Sequence, residues 1–424
     1  MSVELINGHV LIPHAHNWRQ NISWSRKPQT ARLQGLTGRE QRTTLRPRPL
    51  ISMTILPAVI DANEQARLED SVRAARKSGK AAVPYWGRGQ VLSGAASGSS
   101  VPLESTPWVP AAGDYVFFGT TTAHEVRLVS SYAAGAITLS SSLTGTYAAG
   151  EMVWPVLFGK ITTDNEALIT SHRGEMGITF AEVESTDLAG LGGTDGASAL
   201  TPATYLGRPV FPFTPNWAQD PARQFQFDLN VKEYGFGPER HDPTQAHVVH
   251  GFEFRIELTT DQEIANCDAF TVAGPRDPFW LASPIEAVQV TAGVSATQFD
   301  IADQNLAESL TDHPAQHLVF SKAGVADQMA KVVTVTDQGG GIERVTLDTA
   351  LATAVDETWT VARLHLVRLA EDKESAIFEA EGWQRRSVRV IEVPNEYESG
   401  LRARWSRIGA WRRPAAAAWI PLAR

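Results

Sequence analysis

In the run "HVVHGFEFRIELTT" at 247–260, Phe252, Phe254, Ile256 and Leu258 take alternate places, with Glu253, Arg255 and Glu257 between them. A period of two puts successive side chains on opposite faces, so the run predicts a strand with one buried face. "PLISMTILPAVI" at 49–60 is a second alternating, β-rich run. Each is followed by a change of period. The stretch 61–79 places Leu68, Val72 and Ala75 on one stripe, offers Asp61 or Asn63 as a cap, and closes at Gly79, which predicts a helix. A shorter helix is predicted over 260–274, with Ile264, Cys267 and Phe270 or Thr271 on its stripe and Gly274 at its end. Short strands punctuated by Gly and Asp then fill 100–160 ("YVFFG", "EVRLVSS", "AITLSSSL", "EMVWPVLFG") and 290–368 ("QFDIA", "QHLVFS", "ETWTVARLHLV"). That spacing suggests a small barrel or sandwich in each stretch.

The two sets of elements come in the same order, and local phrases repeat with them. Asn17-Trp18 returns as Asn216-Trp217, 199 residues on (216 − 17), and Gly38-x-Glu40 returns as Gly237-x-Glu239 at the same spacing. Pro84-Tyr85-Trp86 is matched to Pro278-Phe279-Trp280, Ile137-x-Leu139 to Val345-x-Leu347, and Glu182-Val183 to Glu392-Val393. Ordered recurrence of this kind reads as a tandem duplication. Its predicted parts are 1–99, an insertion at 100–160 and closing strands at 161–185. A Gly/Ala/Ser/Thr-rich linker at 186–207 follows, of the composition expected for an exposed connector. The second copy runs over 208–289, an insertion at 290–368 and closing strands at 369–398, and a Trp/Arg-rich segment at 399–424 has no counterpart.

Composition narrows the classes. At 424 residues, with 43% apolar and 20% charged residues, the chain is expected to form several folded domains. Its net charge of −9 argues against a general nucleic-acid binder. The single cysteine, Cys267, excludes an intrachain disulfide and a Cys-based metal centre, and its helical stripe makes it a buried apolar thiol. The N-terminal "MSVELINGHVLIPHAHNW" lacks the charged and apolar regions of a secretory leader, and no apolar run approaches 18 residues.

Candidate chemistry is sparse. His241, Asp242, His247 and His250 lie within ten residues and offer metal-ligating groups. However, His247 and His250 point to opposite faces of a strand, and the first copy has no histidine there. The chain has no G-x-S-x-G elbow, and "GLGGTDGAS" at 190–198 lacks the Gly-Lys-Ser/Thr ending of a phosphate loop. Accordingly no catalytic, cofactor or metal residue is assigned, and no enzyme is expected. Glu40 with Arg42, and Glu239 with Arg240, read as turn carboxylates or as ring-interface ion pairs. Trp18, Trp86, Trp217 and Trp280 read as core anchors. Trp405, Trp411 and Trp419, with Arg412 and Arg413, read as a docking segment for a partner protein, because Trp and Arg dominate interface hot spots.

The order Asn17-Trp18, Trp24, Gly38, Glu40, Arg42, Pro47-Arg48, a strand, a helix, then Val83-Pro84-Tyr85-Trp86 resembles the tail-tip structural proteins of long-tailed bacteriophages, the distal-tail and baseplate-hub family. The scarcity of cysteine sets it apart from hub proteins that hold an iron–sulfur cluster. The resemblance implies a mainly β (α+β) chain of two tandem tail-tube-like β-sandwich units, each with a flanking helix and an inserted small β-barrel. It also implies a homo-oligomeric ring in the virion, made in the host cytoplasm and contacting tail tube, hub and fibre proteins. DNA would pass through its lumen without specific binding. A trimer with pseudo-sixfold symmetry is expected ahead of a hexamer. The other class open to the sequence is a host-surface carbohydrate or receptor-recognition module, for which Tyr132, Tyr147 and Trp154 are the aromatic candidates of the first insertion.

Overall fold

The computed structural model describes residues 4–18, 20–27, 30–34, 40–44, 50–59, 61–104, 110–133, 135–162, 167–170, 173–182, 201–216, 221–226, 229–232, 240–243, 249–273, 277–302, 306, 316–371, 374–380 and 382–393. Among them the fold is mainly β, with one large, predominantly antiparallel sheet and two α-helices.

Helix α1, Ala62–Ser78, forms where the periodicity places it. The Asp61 carboxylate accepts from the N–H groups of Asn63 and Glu64, both at 2.8 Å, which satisfies donors the first turn cannot pair. Gly79 ends the helix in the left-handed conformation at φ 69°, where a Cβ would be strained. Leu68, Val72 and Ala75 are buried. Helix α2, Asp261–Ala273, buries Ile264, Cys267 and Phe270. It opens on a reciprocal cap: the Glu263 N–H donates to Thr260 Oγ1 at 3.2 Å, and the Glu263 carboxylate accepts from the Thr260 N–H at 3.2 Å.

Pairing partners recur between the two halves. Ile22–Lys27 pairs with Leu50–Ile55, then come Ile178–Glu182, Met152–Ile161 and Ala81–Pro84, the last running parallel to His9–Leu11. In the second half Ala222–Gln226, Val249–Leu258, Trp383–Glu392, Thr360–Leu369 and Phe279–Val288 follow in that order, with Val210 bridging Trp280 in parallel. The hairpins Thr30–Gln34/Glu40–Thr44 and Leu229–Lys232/Arg240–Pro243 share one register: Thr30↔Thr44 corresponds to Leu229↔Pro243, again 199 apart (229 − 30).

Two expectations about the repeat itself need correction. The stretch 186–207, expected as linker, ends in structure, because Thr204–Tyr205 pairs with Arg208–Pro209 around Leu206 (φ 49°) and Gly207 (φ 75°). The counterpart is Leu5–Ile6 with His9–Leu11 around Asn7 (φ 49°) and Gly8 (φ 75°). An Asn-Gly pair announces a turn with two positive φ values, whereas Leu almost never adopts one, so the second turn carries no sequence cue. The match of Trp86 to Trp280 is also wrong. Val156 faces Pro84 and Leu364 faces Ala282; likewise the Ile12 N–H donates to Ala82 O and the Phe211 N–H to Trp280 O. Trp280 therefore stands where the first half has Ala82, and Trp86 lies beyond the strand. The ladder keeps a spacing of 198 here (280 − 82), whereas the similar letters lie 194 apart (280 − 86).

Each insertion has its own buried core, with Val101, Phe118, Ile137 and Leu139 in one and Phe299, Phe320, Val345 and Leu347 in the other. Strand order recurs here too. Met152–Ile161, Tyr115–Gly119, His124–Ala133, Ala136–Leu139 and Ser100–Pro102 correspond to Thr360–Leu369, His317–Lys322, Val325–Gly339, Ile342–Leu347 and Gln298–Ala302. Among the described residues the expected closed barrels are not seen; in the first insertion Leu92 meets Leu103 only through one isolated bridge.

Candidate functional site: the junction of the two halves

The two halves share one sheet. Glu374–Ala380, from the closing hairpin of the second half, adds antiparallel to Ile22–Lys27 of the first, from Ile22↔Phe378 to Arg26↔Glu374. Ala376 and Phe378 complete the core of the first half beside Ile22, Trp24, Met53 and Tyr85. A Cβ on Gly87 would come within 3.1 Å of the Phe378 ring, so glycine is what lets that ring approach.

Behind these strands α2 delivers one carboxylate to three guanidiniums. Asp268, 1% exposed, receives Arg386 Nη2 at 2.7 Å, Arg88 Nη2 in a short contact, and Arg26 Nη1 at 3.6 Å. Arg26 also donates to Thr271 Oγ1, and Arg386 Nε donates to Gln384 Oε1 at 2.6 Å. The Trp24 ring lies 5.5 Å from the Arg26 guanidinium carbon and 5.6 Å from that of Arg386, a distance at which the ring face attracts a cation. Burial disfavours the Asp268 carboxylate, but Arg386, Arg88 and Arg26 outweigh it and hold its pKa at about 2. Arg26 and Arg88 come from the first half, Asp268 and Arg386 from the second, so the cluster locks the halves together.

A second buried network lies under the outer edge of the second half. His365 is 6% exposed, with Nδ1 2.9 Å from Glu392 Oε1 and Nε2 2.5 Å from Glu286 Oε2. Arg223 Nη1 reaches Glu286 Oε1 at 2.8 Å, Arg363 stands 3.9 Å from it, and His250 Nδ1 is 3.4 Å from Glu392 Oε2. Burial works against charge on His365, yet the two carboxylates raise it to about 9. Burial lowers His250 to about 4. Ligand atoms of His250, His365 and Glu392 all lie within 4.8 Å of one another, which is compact enough for a cation. Both nitrogens of His365 are nonetheless directed at carboxylates, as in an imidazolium, and Arg223 brings a positive charge to the same place. The chemistry present suits a bound proton better than a metal.

The sequence candidates distribute as follows. The Asn17 N–H donates to Leu56 O at 2.8 Å and the Asn216 N–H to Arg255 O at 2.6 Å, the same bond in both copies. Trp86 and Trp280 are buried at 4% and 1%, but Trp18 is 38% exposed and is not a core anchor; it packs edge-on against His16, 5.2 Å away. Glu40, Arg42 and Arg240 lie in hairpin strands whose side chains are outside the described residues. Gly38, Trp217, Gly237, Glu239, Trp405, Trp411, Arg412, Arg413 and Trp419 also lie outside them, as does His247. Tyr132, Tyr147 and Trp154 do not form one exposed platform: Tyr132 and Tyr147 pack on the insertion core, whereas Trp154 packs on Trp86 at 4.8 Å. Sequence reading missed Asp268, Arg26, Arg88, Arg386 and His365, whose partners lie on strands far apart in the chain. Of the two networks, the sequence marks Glu392 as a repeat position and His250 as a candidate metal ligand, and the structure brings these two together beside His365. No protein-family model and no curated protein matches the chain, so its own geometry must carry the functional reading.

Proposed function

We propose that the chain is a structural ring component of the tail tip of a long-tailed bacteriophage, joining the tail tube to the tip or baseplate around the DNA channel. In this reading the halves are two tail-tube-like β-sandwich units, each with a flanking helix and an inserted β-barrel. The observation that supports it best is the junction, where two units of matching strand order are joined edge to edge by main-chain pairing and a buried charge lock. A chain that already carries two such units supplies a ring with fewer copies, because closed assemblies reuse one interface. Its net charge of −9 fits a lumen that repels DNA phosphates.

The test is immunogold labelling of phage particles from the strain that encodes the chain. Label confined to the distal end of tails is the expected result, and label on heads, or none on intact particles, overturns the reading. Host-glycan recognition has one feature in its favour, a cavity of about 210 Å³ lined by His16, Trp18, Trp86, Thr120, Thr121 and Trp154, since aromatic faces suit sugar rings. With three of these groups buried or packed on one another, it is the weaker reading.

A further inference from the structure

We infer that copies of this chain join head to tail by strand pairing, with Ala222–Gln226 of one copy receiving Ala167–Thr170 of the next in the register used at the internal junction. The inference rests on the reading of the chain as two repeated units. It goes beyond that reading by naming the two edges and their alignment.

The hairpin Ala167–Thr170/Arg173–Met176 is the first-half counterpart of Glu374–Ala380/Trp383–Glu392. Thr170↔Arg173 corresponds to Ala380↔Trp383, both 210 apart (380 − 170), and Gly174↔Val59 corresponds to Gln384↔Leu258. On the receiving side, Ser23↔Thr54 corresponds to Ala222↔Glu253, 199 apart (222 − 23), so Ala222–Gln226 is the counterpart of Ile22–Lys27. Within one chain, the hairpin strand of the second half occupies the edge strand of the first. The complementary pair is left over: among the described residues Ala167–Thr170 pairs only with Arg173–Met176, and Ala222–Gln226 only with Val249–Leu258.

An open strand edge is a template for another strand, and proteins normally cover or charge it. Here the strand that would fit is specified by the molecule itself. Upstream of the bulge between Phe378 and Ala380 the hairpin spacing is 209 (378 − 169), because Phe378↔Gln384 matches Ile169↔Gly174, so the internal pair Ser23↔Ile377 carries across to Ala222↔Leu168, and Ile22↔Phe378 to Pro221↔Ile169. Pro221 falls at the start of the edge strand, a position where proline is tolerated. The contact uses different surfaces on the two copies, so repetition of it gives a closed ring when the rotation between units divides the circle. A second copy of this chain is the partner.

Disulfide trapping tests this. Residues opposite one another on antiparallel strands have Cα atoms about 4.5–5.5 Å apart, within disulfide range, and the native Cys267 is buried. In the full-length chain, L168C/A222C is oxidised and read by non-reducing gel and native mass spectrometry. S23C/I377C serves as the control, which should close within one chain with no gain in mass. The expected result is a reducible ladder ending in a covalent closed oligomer, with neither single variant passing beyond dimer. If the control closes and the assembly is oligomeric while L168C/A222C stays uncrosslinked, copies join elsewhere; this inference then fails and the tail-tip reading stands. A disulfide between 168 and 222 inside one chain overturns it, as does a monomer without cross-links at the highest soluble concentration. A ladder from a chain that does not label tails keeps the pairing and removes the tail-tip reading.

Discussion

His365 shows how a residue with no local signature can control pH behaviour. Glu286 on Phe279–Val288 and Glu392 on Trp383–Glu392 hold it from both sides, with Arg223, Arg363 and His250 completing the surroundings. Its pKa is raised from an ordinary ~6.5 to about 9, so the native state binds the proton more tightly than the unfolded chain does. That stability is complete below ~6.5 and is lost as pH rises through about 9. His250, lowered to about 4, acts at the other end: the unfolded imidazole takes up a proton that the folded one refuses, so stability falls as pH drops from ~6.5 towards 4. The expected profile is a Tm that peaks between these windows. His365→Gln should lower that peak, because it leaves two buried carboxylates facing each other, and should flatten the alkaline limb. A wild-type Tm that does not change between pH 7 and 10 would sink this account.

Among the elements, the strands explain more than the helices. Met152–Ile161 serves both layers of pairing in its half, and Gly159 sits where it faces Ala81 on one side and Glu182 on the other. A Cβ there would lie 2.1 Å from Ala181 O and 2.7 Å from Phe180 Cζ. Backbone cannot withdraw as a side-chain tip can, so Gly159→Ala should cost about 1–3 kcal/mol through overpacking. Gly98→Ala is the control, since nothing lies within 4 Å of its added Cβ. Equal urea midpoints for the two variants would show that the ladder at Gly159 is looser than described. The helices were readable from the sequence to within a residue, because caps and a 3.6-residue stripe are local. Alternation likewise marked Leu50–Ile55 and Val249–Leu258. Their register was not readable, and for that reason Trp86 was matched to Trp280 although the ladder sets Trp280 opposite Leu366.

For the whole molecule, the decisive contact is Asp268 with Arg26, Arg88 and Arg386. Removing one partner of a buried ionic cluster leaves the others desolvated and uncompensated. Asp268→Ala should therefore destabilise the chain by about 3–5 kcal/mol. Because the cluster bridges the halves, calorimetry should also show their unfolding begin to separate. Replacing Arg26 as well should recover part of the loss, since it removes one stranded charge. A loss under about 1 kcal/mol in Asp268→Ala would mean that the guanidiniums find other partners, and the halves would then depend on strand pairing and Phe378 alone.

By itself the sequence determined the local order: two α-helices, the first with its caps, alternating strands, and a pattern written twice 199 residues apart (216 − 17). These follow from interactions within a few residues, where period and composition are sufficient. Only the tertiary structure decided that Glu374–Ala380 crosses to Ile22–Lys27, that Asp268 lies among three arginines, and that His365 lies between two glutamates. Such contacts join residues from 27 to more than 200 positions apart, and which charges meet depends on strand register, which main-chain pairing and core packing set together.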